Sequence, residues 1–327
     1  MKAIVISAPG GPEVLTPVEL PDPVPAPGEV LVRVKAFGLN HAEAYMRSGA
    51  WGDVAAVPGI ECAGVVEAAP SGELPVGTKV VAVLGGMGRT RNGSYAELVT
   101  VPATNVVAVH SSLGWAELAA VPEVYATAWS GLFGNLDLRP GETVLVRGAT
   151  SSLGQAAVNL AVDHGATVLA TTRNPAHAPL LKALGAYDVL IDDGAIAAQV
   201  GERGLGVDAV FDVVGNSALR DSLALVRPRG RVCQLGFLGG FEPVRDFDPI
   251  ADLPSGVRLS FFGSAFVLGS TQFPLGDVPL DEIYAKVDAG VLRARPVRVF
   301  RFDEIVEAHR VMEAGAALGK MVVTLDR

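Results

Sequence analysis

The chain has 327 residues, half of them hydrophobic, with 26 Lys and Arg against 35 Asp and Glu and a net charge of −9. That length allows two domains with well-buried cores, and the acidic balance excludes an overall electrostatic footprint for nucleic acid or anionic lipid. Cys62 and Cys233 make neither a disulfide framework nor a CxxC metal clip, and no apolar run approaches the roughly 20 residues of a membrane helix. The cytoplasm is therefore the expected location, with neither nucleic acid nor membrane as a partner.

The first apolar stretch is cut short by Pro9-Gly10-Gly11-Pro12, too soon for a signal peptide. Strands are predicted at 2–7 and 29–36, on either side of a proline-rich segment at 21–28, then at 61–69, 79–84, 95–101 and 106–109. Short strands at that spacing predict a small barrel or sandwich. From about residue 125 to 265 the texture changes. Strands at 143–147, 167–171, 189–191, 209–213, 231–235 and 259–264 alternate with helices at 153–163, 179–184 and 217–226. That alternation predicts a doubly wound parallel sheet, so the fold class is α/β. Amphipathic helices at 281–289 and 303–314 and a strand at 321–325 follow, and the tail is expected to return to the first domain. The expected domains are thus 1–123 with 266–327, and 124–265.

Strand 143–147 runs straight into Gly148-Ala149-Thr150-Ser151-Ser152-Leu153-Gly154 and an alanine-rich helix. Helix-end N–H groups and small residues suit the pyrophosphate of a dinucleotide, which places Ala149, Ser151, Ser152, Leu153 and Gly154 around it. The run is not a strict GxGxxG, and a tight strand-to-helix turn in any α/β protein has the same look. The end of the next strand is more specific. An NAD enzyme usually carries an acidic residue there, whereas this chain reads Thr171-Thr172-Arg173-Asn174. With no carboxylate to repel it, a 2′-phosphate is expected on Arg173 and Thr172, which makes NADPH the expected cofactor. The alternative is that Arg173 is an exposed turn residue.

Many short motifs in order carry a family resemblance. They include Gly10-Gly11-Pro12-Glu13-Val14-Leu15, Pro27-Gly28-Glu29-Val30, Gly38-Leu39-Asn40, Tyr45-Met46-Arg47-Ser48-Gly49, Gly93-Ser94-Tyr95-Ala96-Glu97, Thr127-Ala128-Trp129, Val213-Val214-Gly215 and Gly319-Lys320. Together they resemble the zinc-free quinone oxidoreductases of the medium-chain dehydrogenase/reductase superfamily, over essentially the whole chain. The resemblance implies a GroES-like catalytic domain, a Rossmann cofactor domain and an active-site cleft between them. It adds Thr127, Phe237 and Ser264 to the cofactor residues. It also implies a homodimer formed through the last strand of the cofactor domain. Two glycines usual in the family's turn are replaced by Ser151-Ser152.

Zinc-dependent relatives have Cys-His where this chain has Asn40-His41, and Gly-His-Glu where it has Gly59-Ile60-Glu61; no metal is expected, because zinc needs those ligands. His41 alone is expected on the surface or in packing. Without a Lewis acid, an electron-poor acceptor is the suitable hydride partner, a quinone or an enone. A donor near the developing oxyanion helps, and Asn40 and Tyr45 are the catalytic candidates by their place in the resemblance; the alternatives are that Asn40 bonds only to backbone or cofactor ribose and that Tyr45 packs in the wall. Glu61 is expected to pair with an arginine sooner than to act as a base, and Lys320 either to approach the cofactor or to be solvated. Arg89 and Arg91, in the loop 85–93, are expected either to guard the cleft or to be mobile and exposed. An enoyl-thioester reductase and a non-catalytic NADPH-binding sensor are the competing readings.

Overall fold

The computed structural model describes residues 1–325, which form two compact units. One comprises Met1–Ala126 with the chain from Ala265 onward, the other Thr127–Ser264.

In the first unit, β1 (Lys2–Ile6) pairs antiparallel with β2 (Leu15–Glu19). The larger sheet is organised by β3 (Glu29–Gly38), a ten-residue strand almost wholly buried. On one side β3 pairs with β4 (Glu61–Ala68), and two register shifts in that ladder bend the strand. Its first half pairs with β6 (Leu98–Pro102), which was expected to begin three residues earlier, at Tyr95. The sheet continues from β4 through β5 (Lys79–Val83) to β7 (Val106–Ala108).

The second unit is a six-stranded, wholly parallel sheet. Its strands are β8 (Thr143–Arg147), β9 (Thr167–Thr172), β10 (Asp188–Ile191), β11 (Ala209–Asp212), β12 (Arg231–Gln234) and β13 (Arg258–Phe261). The spatial order is β10-β9-β8-β11-β12-β13, so the sheet reverses direction between β8 and β11. In such sheets the ligand crevice lies beyond the carboxyl ends of the strands at that reversal. The near-continuous apolar strands match burial on both faces, and Leu145, Leu169, Val210 and Val232 are at most 1 % exposed. Each such side chain contributes about 1.5–3 kcal/mol by leaving water. The strand expected at 259–264 stops at Phe261, and Ser264 instead opens a short helix, Ser264–Val267.

The tail rejoins the first unit's sheet. β14 (Arg298–Arg301) pairs in parallel with β15 (Met321–Thr324), and β15 pairs antiparallel with Ala36–Gly38 of β3. Behind this sheet, Phe37 stacks on Tyr95 with ring centroids 4.4 Å apart, and the Tyr95 hydroxyl lies 3.0 Å from Nε2 of the buried His309. No helix among the described residues is long and apolar enough to cross a membrane.

Candidate active site

The turn after β8 is held by Ser151, the N-cap of the helix Ser152–Asp163. Its hydroxyl accepts a hydrogen bond from Gly154 N at 3.0 Å and donates to Gly148 O at 2.9 Å. The serine that replaces a family glycine is therefore a cap that fixes the turn, an arrangement worth about 1 kcal/mol. A Cβ at Gly154 would sit 2.7 Å from Ala149 Cα and collide with Gly148 O, so only glycine lets the helix come this close. Ser152 and Leu153 follow with first-turn N–H groups that have no intrahelical acceptor and suit an anion.

Beyond the strand ends lies a cavity of about 270 Å³, lined by Gly148, Thr150, Thr171, Thr172 and Arg173 among others. Val214 after β11 also lines it, so the cavity stands at the sheet's reversal. The Arg173 guanidinium is exposed at this cavity and has no carboxylate partner among the described residues. Phe237 lies in the loop after β12, next to the lining residue Leu238, and stacks on Phe241 at 4.9 Å. Thr127, in the helix Pro122–Trp129, is buried and does not line this cavity, nor does Ser264.

One expectation needs correction here. A carboxylate does face the cavity, that of Asp192 immediately after β10. It is held by the buried Arg147, whose Nε and Nη2 donate to Oδ2 and Oδ1 at 2.9 and 3.0 Å. Arg147 also lies 2.7 Å from Asp221 and donates to Ser222 Oγ at 3.1 Å. Asp192 is thus fixed by a bidentate arginine that it shares with Asp221. Sequence reasoning missed both residues; the available signal was an arginine closing a buried parallel strand.

In the first unit, Asn40 caps the helix His41–Ser48 and lies in a buried polar cluster. Its backbone N–H donates to Glu43 Oε2 at 2.7 Å. Lys320 is only 6 % exposed, and its Nζ lies 2.5 Å from Glu61 Oε1 and donates to Asn40 Oδ1 at 2.6 Å and Leu39 O at 3.1 Å. Asn40 Nδ2 donates to Glu61 Oε1 at 2.9 Å and approaches Glu43 Oε1 at 3.5 Å. The second Glu61 oxygen accepts from Glu123 N at 2.8 Å. Gly38 makes room for the ion pair, since a Cβ there would lie 2.5 Å from Lys320 Cε and 2.8 Å from Glu61 Cδ. Burial, with Glu61 adding to it, pushes the Glu43 carboxyl up to about 8 against the opposing pull of Lys320.

Two expectations change with this geometry: Lys320 is not solvated, and Glu61 pairs with a lysine and not an arginine. Both N–H groups of the Asn40 amide lie toward the carboxyl groups of Glu61 and Glu43. Tyr45 lies one turn along the same helix, half-buried, with its ring 6.0 Å from Trp51 and 6.4 Å from the exposed His41. Burial raises the pKa of its phenol. The loop 85–93 is not exposed throughout: Met87 and Gly88 are buried, and Arg91 Nη1 is paired with Glu29 at 2.6 Å.

Comparison with known proteins places these features in a family. Residues 26–111 match the alcohol dehydrogenase GroES-like domain, and 184–323 match the family described as zinc-binding dehydrogenase. The chain is 34 % identical to quinone oxidoreductase from Mus musculus, over 99 % of this chain and 98 % of the relative. It belongs to the medium-chain dehydrogenase/reductase superfamily, among its quinone oxidoreductase-like members. A mycobacterial structure complexed with NADPH superposes with a TM-score of 0.86 at 29 % identity, covering 99 % of this chain and 100 % of that one. The CurK enoyl reductase gives 0.84 at 26 % identity, covering 99 % of each chain. The protein is thus an NAD(P)H-dependent oxidoreductase with a GroES-like sheet unit and a Rossmann-like unit. The close Ser151–Gly154 turn and the adjoining cavity fit a nicotinamide dinucleotide. Zinc does not fit the Asn40 cluster: an amide and the Ile60 side chain stand where zinc-dependent members are expected to carry ligands, and Glu61 already has the Lys320 ammonium.

Proposed function

We propose that the protein is an NADPH-dependent reductase that works without a metal and passes hydride to a quinone or an electron-poor alkene conjugated to a carbonyl. The observation that carries the cofactor preference is the unpaired Arg173 guanidinium beside Thr171 and Thr172, at a cavity whose one lining carboxylate, Asp192, is held in a bidentate pair by Arg147. An arginine fork suits a 2′-phosphate, and the buried Thr172 hydroxyl, which donates to Asn174 O at 3.1 Å, holds the turn that carries Arg173. When bound, the cofactor supplies hydride. The turn held by Ser151 presents the Ser152 and Leu153 amides to the pyrophosphate, and Gly154 lets it approach.

For the acceptor, Tyr45 is the donor we assign to the developing oxyanion, and solvent supplies the proton that completes the reduction. A quinone gains hydride and a proton to become the hydroquinone; an enone gains them across its C=C bond. Metal independence rests on the Lys320–Glu61 pair, which fills with an ammonium the charge role a metal would otherwise play. An enoyl-thioester reductase is the second reading, supported by the similarity to CurK enoyl reductase. We also propose a homodimer through β13, whose Leu259 and Phe261 are 40 % and 56 % exposed on the sheet's outermost strand.

The test follows nicotinamide absorbance with NADPH and NADH against quinones, enones and primary alcohols, with and without a chelator. Chelator-resistant, NADPH-selective reduction is expected. Chelator-sensitive alcohol oxidation would overturn the reading, and tight NADPH binding with no turnover would transfer it to a sensor.

A further inference from the structure

Arg89 is a conspicuous charge in the first unit. In a chain with 35 acidic and 26 basic residues, a half-buried arginine has many carboxylates to choose from. Arg91, two residues on, takes Glu29. Arg89 takes none among the described residues. Its Nη1 donates to Ala265 O at 2.6 Å, and its guanidinium carbon stands 4.2 Å from the Phe266 ring centroid. Its backbone is fixed, with the carbonyl accepting from Ala55 N at 2.9 Å and the amide donating to Gly86 O at 3.1 Å. Burial pulls the pKa of this arginine down, the mark of a cation that has lost water without gaining an anion. A guanidinium has five N–H groups, and a stacked one presents its remaining edge as a fork.

The rings beside it extend the site. Phe266 is 58 % exposed, its centroid is 5.8 Å from Trp51, and Trp51 is 6.0 Å from Tyr45. Phe266, Trp51 and Tyr45 are thus linked by successive ring contacts that begin at the Arg89 guanidinium. An apolar planar body lies well on such rings, and a carboxylate is the group the fork lacks.

We propose that Arg89 is a specificity residue that binds the carboxylate of an acidic acceptor, so that the preferred substrates are electron-poor alkenes or quinones carrying an anionic group. This rests on the reductase reading of the same site. The experiment compares monomethyl fumarate, an activated alkene with one carboxylate, with its neutral partner dimethyl fumarate, both with NADPH. The expected result is a higher kcat/KM for the monoester. Arg89→Met should lower the monoester-to-diester ratio by about 10- to 100-fold, the worth of one charge-assisted hydrogen-bonded pair. Arg89→Lys, which keeps the charge and loses the fork, should fall between. Because the ratio is internal to each variant, any loss of folded protein cancels.

Equal use of the two esters by the native protein, or an unchanged ratio in Arg89→Met, overturns the proposal. So does reduction of quinones with the monoester neither reacting nor competing, and in that case the reductase reading stands. If no acceptor of any kind is reduced, the reductase reading fails. Calorimetric titration with monomethyl succinate then decides Arg89: binding abolished by Arg89→Met supports the anion site, and no binding to the native protein removes it.

Discussion

Replacing Lys320 by methionine tests the central claim about the polar cluster. The substitution keeps most of the side-chain length and removes the ammonium, which lies 2.5 Å from Glu61 Oε1. Lys320 is 6 % and Glu61 0 % exposed, so water does not take over the lost interaction. Glu61 would keep only the Asn40 amide and the Glu123 N–H as donors. Breaking a buried pair from one side costs about 3–5 kcal/mol, because the surviving charge is left uncompensated. Adding Glu61→Gln removes that charge, so the double variant should recover most of the loss. Hydrogen exchange of the β3, β4 and β15 amides reads the effect within the first unit, whether or not both units open together. A Lys320→Met cost below about 1 kcal/mol, or a double variant no more stable than Lys320→Met alone, refutes the reasoning.

Arg173→Ala should weaken NADPH by about 10- to 100-fold while NADH changes little, since the 2′-phosphate is the one group that differs; equal losses in fluorescence titrations would contradict this. Gly154→Ala places a Cβ 2.7 Å from Ala149 Cα. The helix must move off the turn, at a cost of about 1–3 kcal/mol in denaturant unfolding together with weaker cofactor binding. Burial, then the charge of Arg47, hold His309 at about 3, far below the ordinary 6.5. Between pH 6.5 and 3 the unfolded chain binds a proton that the folded chain refuses, so stability falls as pH falls, by up to about 1.4 kcal/mol per unit. His309→Leu should flatten that slope in urea titrations, and an unchanged slope would exclude His309 as its source. Phe261→Glu on β13 should shift a dimer to a monomer in sedimentation; an unaltered dimer would put the interface elsewhere.

The parts of this structure that were legible from sequence are those written locally. The run from β8 through Gly148 to the helix at 152–163 announces itself, because an apolar strand, a small-residue turn and an alanine-rich helix occur in unbroken order. The helix His41–Ser48 was equally within reach, since Asn40 and Glu43 have the spacing of a capping pair, but eight residues show little apolar periodicity. What was not legible depends on partners far along the chain. Lys320 meets Glu61 across 259 positions, and only the pairing of β15 with β3 next to β4 brings them together. Arg147 meets Asp192 across 45, because β8 and β10 flank β9 in the sheet.

These distant pairs also change the chemistry inferred from the local motifs. Read alone, Thr172-Arg173 describes a site without acid, and Asn40 describes an amide free to donate. In the fold, an acid is present and held by Arg147, and the amide is held between the Lys320 ammonium and the carboxyl groups of Glu61 and Glu43. The donor role we propose therefore falls on Tyr45, the phenol one turn further along the same helix. The buried charges around Asn40 hold the helix end that carries that phenol.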